Sequence, residues 1–126
     1  MNILICGDMN ERCGNLLDYI ENEENYIQLD NMSMNETDNL HVERRCKDKV
    51  VNNYGKQLVT LFINFNIHIL NGRKCCDEQG EHTCITSSGK SYVDYMICFR
   101  KRYNRIKKVY VSFEDVTQFR IDHLPI

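Results

Sequence analysis

Between Asn53 and Asn66 the apolar residues Leu58, Leu61, Phe62 and Phe65 recur at three- and four-residue steps, with Val59 and Ile63 widening the stripe. That is the period of an α-helix, and a stripe this wide has to be buried against another element. The neighbouring segments say what that element is. Asn2 to Cys6 is an apolar run halted by Gly7, and it reads as a short strand buried on both faces. Ile67, Ile69 and Leu70 form a second strand running into Asn71-Gly72-Arg73, where glycine permits a turn. Further strands are predicted at His82 to Thr86, Ser91 to Phe99 and Ile106 to Phe113, with Ser87-Ser88-Gly89-Lys90 joining the first two of these as a hairpin. A short helix is expected over Asn15 to Ile20, and the polar stretch Glu21 to Thr37 reads as a long surface loop.

Composition narrows the function classes. A chain of 126 residues builds one core. Its 42% apolar and 27% charged residues are those of a globular protein and argue against wholesale disorder. A net charge of −2 gives the molecule no global attraction to polyanions, so any nucleic-acid contact has to come from a local patch. The dense basic run Arg100, Lys101, Arg102, Arg105, Lys107 and Lys108, with Tyr103 inside it, is the candidate: such a run contacts backbone phosphates or forms a solvated turn between two strands. No apolar run approaches the ~20 residues that span a bilayer. The amino terminus has no signal-peptide pattern, so the expected setting is intracellular, nuclear or cytoplasmic rather than secreted. The odd count of 7 cysteines shows no zinc-type spacing, and they are expected as reduced, mostly buried small hydrophobes.

Three places carry candidate chemistry. Asp8 and Asn10 lie two apart after the first strand, and on an extended backbone they project to one side. A carboxylate there can take a proton from an attacking water while the amide donates to a phosphate oxygen. The same residues also make ordinary Asx turns. Asp94 sits inside an apolar strand, where a buried carboxylate requires a donor nearby. Near the end of the chain Asp122 precedes His123, and His123 is the natural partner for Asp94. An aspartate that accepts the imidazole N–H fixes its tautomer and supports the cation that stabilises charge on a phosphate.

In order, Ile5-Cys6-Gly7-Asp8-Met9-Asn10, then Arg45-Cys46-Lys47-Asp48 with Asn53 and Gly55, Leu70-Asn71-Gly72-Arg73, Thr83 with Ser91-Tyr92-Val93-Asp94-Tyr95, and Asp122-His123-Leu124-Pro125 resemble the signature blocks of the endonuclease/exonuclease/phosphatase family. The nearest pattern is that of non-LTR retrotransposon endonucleases and the related craniofacial-development-protein-like chains. The resemblance implies an α/β fold, half of a four-layer α/β sandwich with a mixed, largely antiparallel sheet and covering helices. It implies DNA as substrate and magnesium, or manganese, as cofactor. In it Asp8 activates the water, Asn10 holds the scissile phosphate, Asp94 orients His123, His123 stabilises the phosphate, and Asp122 lies at the metal. Asn71 falls at the rim of the site, and Arg102 and Arg105 are the candidate backbone contacts.

Family members carry an amino-terminal half with the main metal-binding glutamate. Residues 1–126 are therefore expected to be a partial domain, truncated at its amino terminus and at the last strand, with magnesium held weakly and activity of the chain alone weak or absent. Ile121 stands where the motif has a serine, and Met9 where it has a phenylalanine. An uncovered inner sheet face would invite association. The alternatives are a non-catalytic module for nucleic-acid or protein interaction on the same fold, and the family's phosphatase branch.

Overall fold

The computed structural model describes residues 3–20 and 43–111; Asp122 and His123 lie outside them. In chain order the elements are β1 (Leu4–Asp8), α1 (Asn53–Asn64), β2 (Ile67–Ile69), β3 (Cys84–Thr86), β4 (Gly89–Ser91), β5 (Asp94–Phe99) and a 3-10 helix (Arg100–Arg105). Helix and antiparallel strands are mixed, an α+β arrangement. One sheet has the order β1-β5-β2, and β3 and β4 form a separate hairpin. Both pairings of the larger sheet are antiparallel, with Leu4 opposite Cys98, Asp8 opposite Asp94 and Ile69 opposite Ile97.

Strand alternation sorts this sheet into two faces. Tyr95, Ile97 and Ile69 point toward α1 and form a core with Val59, Phe62, Cys13, Cys46 and Tyr92. On the other face Cys98 packs with Leu70, Tyr103 and Val109, with Met96 and Ile106 partly buried beside them. Burial of a side chain such as Phe62 is worth roughly 1.5–3 kcal/mol, so these contacts hold the helix more firmly than its own propensity does.

Helix α1 begins where Asn52 caps it, its side-chain oxygen accepting from the Gly55 N–H at 2.6 Å and lying 3.4 Å from the Arg12 nitrogen. Gly55 has to be glycine, because a Cβ there would lie 2.1 Å from the Arg12 carbonyl oxygen. The helix ends before Phe65, and Asn66 turns left-handed with φ 52°. Its buried line is Gly55, Val59 and Phe62. Leu61 and Phe65, expected in the stripe, are 47% and 60% exposed. Only one side of the stripe meets the sheet, and Phe65 has already left the helical path.

Several expectations are corrected. The Asn2–Cys6 run forms part of β1, but the strand is not buried on both faces: Leu4 and Ile5 are 52% and 43% exposed, and Cys6 is exposed. An apolar run reports what a strand can bury, not whether a neighbour covers it. Asn15–Ile20 is not a helix. Asp18 is drawn into the core, where its carboxylate accepts from the Ile69 N–H at 2.7 Å and from the Arg73 guanidinium at 2.8 and 2.6 Å. Of the predicted Ser91–Phe99 strand, Asp94–Phe99 forms β5, while Ser91 ends β4, which begins at Gly89 inside the expected turn. Between them the Tyr92 N–H donates to the Asp48 carboxylate, and the Val93 and Asp94 N–H groups both donate to the Thr83 hydroxyl, so side chains take the place of a ladder. The basic run closes into the 3-10 helix with Tyr103 buried, and residues 106–111 contribute only a single bridge, Lys108 to Cys75, rather than a strand. Cys6, Cys75 and Cys76 are exposed, against the expectation of burial, while Cys13, Cys46, Cys84 and Cys98 follow it; all are free thiols.

The segment Arg44–Asp48 ties the two halves of this structure together. The Arg45 N–H donates to the Gly72 carbonyl and the Lys47 N–H to the Gly80 carbonyl, each at 3.0 Å. Gly72 is left-handed (φ 74°), and a Cβ on it would lie 1.8 Å from the Arg45 carbonyl oxygen. Asp48 receives Arg12 through two bonds of 2.7 and 2.6 Å, together with the Val50 and Tyr92 N–H groups. Burial pushes its carboxyl up, but those donors outweigh it and hold the group below its ordinary range. Among the described residues no helix is long and apolar enough to cross a membrane.

Candidate functional site

The site grows from the register of β1 on β5. Residues directly opposite in an antiparallel pair put their side chains on the same face about 4.5–5.5 Å apart at Cβ, so Asp8 and Asp94 form a facing carboxylate pair at one end of the sheet. Asp8 is exposed, and Asp94 is only 6% exposed. Like charges placed this way repel, and other contacts hold both strands in this register.

Those contacts are specific. The Thr83 hydroxyl accepts the Val93 and Asp94 N–H groups at 3.1 and 3.0 Å, which sets the backbone on which Asp94 rides. The Met9 N–H donates to the Val93 carbonyl at 2.9 Å and carries the pairing one step past Asp8. Beyond it the Tyr95 hydroxyl accepts from the Cys13 N–H at 3.2 Å and donates to the Glu11 carbonyl at 2.8 Å, pinning the loop after β1 to the base of β5. Burial drives the Tyr95 phenol far above its ordinary range, so it stays a donor at any working pH.

Asn10 does not continue the extended path. Its φ is 54°, and its N–H donates to the Asp8 carboxylate at 2.7 Å, an Asx turn. The turn keeps Asn10 beside Asp8 but not through the extended-strand geometry expected for it. Asn71, expected at the rim, is fully buried instead. Its side-chain oxygen accepts from the Met96 N–H at 2.7 Å, and its amide nitrogen has no hydrogen-bond partner among the described residues. That makes Asn71 a group that positions β5 two residues from Asp94; direct contact with a bulky substrate does not fit a buried amide. Cys6 was not singled out for a role by the sequence, yet its thiol is pushed up first by burial and then by the Asp94 carboxylate, which places it near that residue.

Arg102 and Arg105 lie elsewhere. They follow Phe99, the far end of β5, which at about 3.3 Å per residue lies roughly 17 Å along the strand from Asp94. There they line a shallow groove with Ile3, Leu4 and Ile106. The structure therefore brings together Asp8, Asn10, Asp94 and Asn71, and sets the two arginines apart from them.

Among the described residues no three His, Cys, Asp or Glu side chains converge as a metal site. Magnesium asks for near-octahedral oxygen coordination, and Asp8 and Asp94 alone do not supply it. Comparison of the chain with protein-family models, curated proteins and solved structures gives no match.

Proposed function

We propose that the chain is a phosphodiesterase fragment of the retroelement endonuclease type, acting on DNA. In this reading β1-β5-β2 is one inner sheet of a four-layer α/β sandwich, and its Asp8–Asp94 end faces the scissile phosphate. The observation that carries the proposal is the facing pair of Asp8 and Asp94, drawn from segments far apart in the chain. Asp8 takes the proton of the attacking water. Asn10 donates its side-chain amide to a phosphate oxygen. Asp94 accepts from His123, whose imidazolium steadies the charge that builds on the phosphate. Arg102 and Arg105 hold the DNA backbone several nucleotides away. Asp122 and groups supplied by a further segment or a partner complete a magnesium or manganese site.

The test is nicking of supercoiled DNA with magnesium, with manganese and with chelator, using the wild type, Asp8→Asn and His123→Ala. Removing a general base or a charge-stabilising imidazole lowers such rates by about a hundredfold or more. Metal-dependent nicking that both substitutions abolish supports the proposal. Nicking that survives Asp8→Asn refutes it. DNA retention without turnover under any metal leaves the non-catalytic binding module.

A further inference from the structure

Cys75 and Cys76 are adjacent in the chain and both are exposed, on the turn that follows Asn71-Gly72-Arg73, with their sulfur atoms 3.4 Å apart. The turn is fixed on both sides. The Cys75 carbonyl accepts the Val109 N–H at 3.1 Å, and Val109 is buried in the core. On the other side Asp77 accepts from the Gly72 N–H at 3.1 Å and the Glu81 N–H at 2.8 Å. Cys76 itself is held left-handed, at φ 81°, a conformation uncommon for a residue with a side chain. The two thiols are thus presented together by a rigid scaffold rather than meeting by chance in a loose loop.

The surroundings distinguish the two sulfurs. The Cys75 thiol is pushed up, first by its hydrogen bond with Cys76, and either sulfur of the pair can be the donor. The Tyr110 hydroxyl is likewise raised by its hydrogen bond to Cys76. Cys76 thus has the Tyr110 hydroxyl as a hydrogen-bonding neighbour besides Cys75. The Lys108 ammonium lies within electrostatic reach of both cysteines, and Glu78 is the opposing carboxylate near Cys75. A hydroxyl donor and a cation beside an exposed sulfur are what favours a nucleophilic thiolate.

We propose that Cys76 and Cys75 form a two-electron redox site that reacts with hydroperoxides, Cys76 as the attacking thiol and Cys75 as the resolving one. The Cys76 thiolate attacks the terminal peroxide oxygen. The O–O bond breaks, the leaving oxygen takes a proton, and an alcohol or water departs from the sulfenic acid. Cys75 sulfur then attacks the sulfenic sulfur, the S–O bond breaks, and water leaves with the Cys75 proton as the disulfide forms. In total two electrons pass from the two sulfurs to the peroxide, and a cellular dithiol reverses the step.

The experiment exposes the full reduced chain to graded hydrogen peroxide and follows intact mass, free thiols and a non-reducing peptide map. The expected first product has lost two thiols and two hydrogens, with Cys75 and Cys76 linked within one peptide. Cys75→Ser is expected to stop at a sulfenic acid on residue 76 that dimedone traps, and Cys76→Ser to leave residue 75 unoxidised at the same dose. Lys108→Gln should slow the reaction by about threefold to tenfold through a smaller thiolate fraction. A first product that joins two chains, or that involves Cys6, would overturn the proposal. So would equal oxidation of Cys75 in the Cys76→Ser protein. The peptide map of the wild type decides the matter even where a variant fails to fold.

Discussion

Asp18→Asn is the most informative single perturbation of this fold. The Asp18 side chain is fully buried and the Arg73 side chain is 2% exposed, and the guanidinium meets the carboxylate through two bonds of 2.8 and 2.6 Å. The same carboxylate accepts the Ile69 N–H at 2.7 Å and lies 3.5 Å from the His68 Nδ1. Burial pushes the Asp18 carboxyl up, but the hydrogen bonds from His68 and Arg73, the guanidinium charge and the Ile69 N–H outweigh it and hold the group far below the usual carboxylate range. The amide of asparagine keeps the shape and one acceptor but removes the carboxylate charge that faces the buried Arg73 cation. Removing one partner of a buried pair costs about 3–5 kcal/mol, and for this near-isosteric change the lower end, about 3 kcal/mol, is expected. Against a total stability of about 5–15 kcal/mol, that is a large share and a fall in melting temperature of roughly 10 °C. Urea unfolding followed by circular dichroism at neutral pH measures it. Because the folded-state pKa is depressed, the wild type holds this stabilisation above the unfolded carboxylate value of about 3.9 and loses it as pH falls below that value. The gap between wild type and variant should therefore narrow steadily in acid. Adding Arg73→Met to the variant should restore more than half of the loss, since it removes the buried cation. A gap under about 1 kcal/mol at neutral pH, or one that ignores pH, would show that the ion pair is not the strap holding the turn that carries Asn71.

Three further outcomes follow from particular contacts. Gly72→Ala sets a Cβ 1.8 Å from the Arg45 carbonyl oxygen on a left-handed backbone, so thermal melts should report a loss of at least about 2 kcal/mol or a failure to fold. Thr83→Val keeps the volume but strands the Val93 and Asp94 N–H groups, at about 1–3 kcal/mol for a buried orphan; nicking activity, where present, should fall further than urea stability alone accounts for, because the backbone of Asp94 is released. Replacing Arg102 and Arg105 together by glutamate should weaken DNA retention and reduce the slope of log affinity against log salt by about 2; an unchanged slope would leave the basic run a solvated surface.

The sequence carried the local structure well where one periodicity had one consequence. The stripe over Asn53–Asn66 became α1 up to Asn64, the expected hairpin formed with its turn narrowed to Ser87-Ser88 between β3 and β4, and the apolar run around Asp94 became β5. The blocks Arg45–Asp48 and Leu70–Arg73 stood out in the sequence as motif positions. Their structural work was not visible there: Asp48 collects donors from Arg12, Val50 and Tyr92, and Gly72 accommodates the Arg45 backbone. The failures share one cause. Asn15–Ile20 has helical spacing, but a buried carboxylate bonded to Ile69 and Arg73 outweighs a weak local preference. Ile106–Phe113 has strand composition, but its described residues, 106–111, find only a single bridge as a partner.

What the sequence determined by itself is therefore which residues can be buried, where the chain must turn, and which side chains could do chemistry. Tertiary structure decided which of those possibilities meet. Asp8 comes to face Asp94 because β1 pairs with β5 in one register, Arg102 and Arg105 go to the opposite end of the same strand, and Cys75 and Cys76 are held together on a turn pinned to Val109. Periodicity is a property of neighbours along the chain, whereas register and cross-chain hydrogen bonds depend on what packs from elsewhere, and no local pattern encodes them.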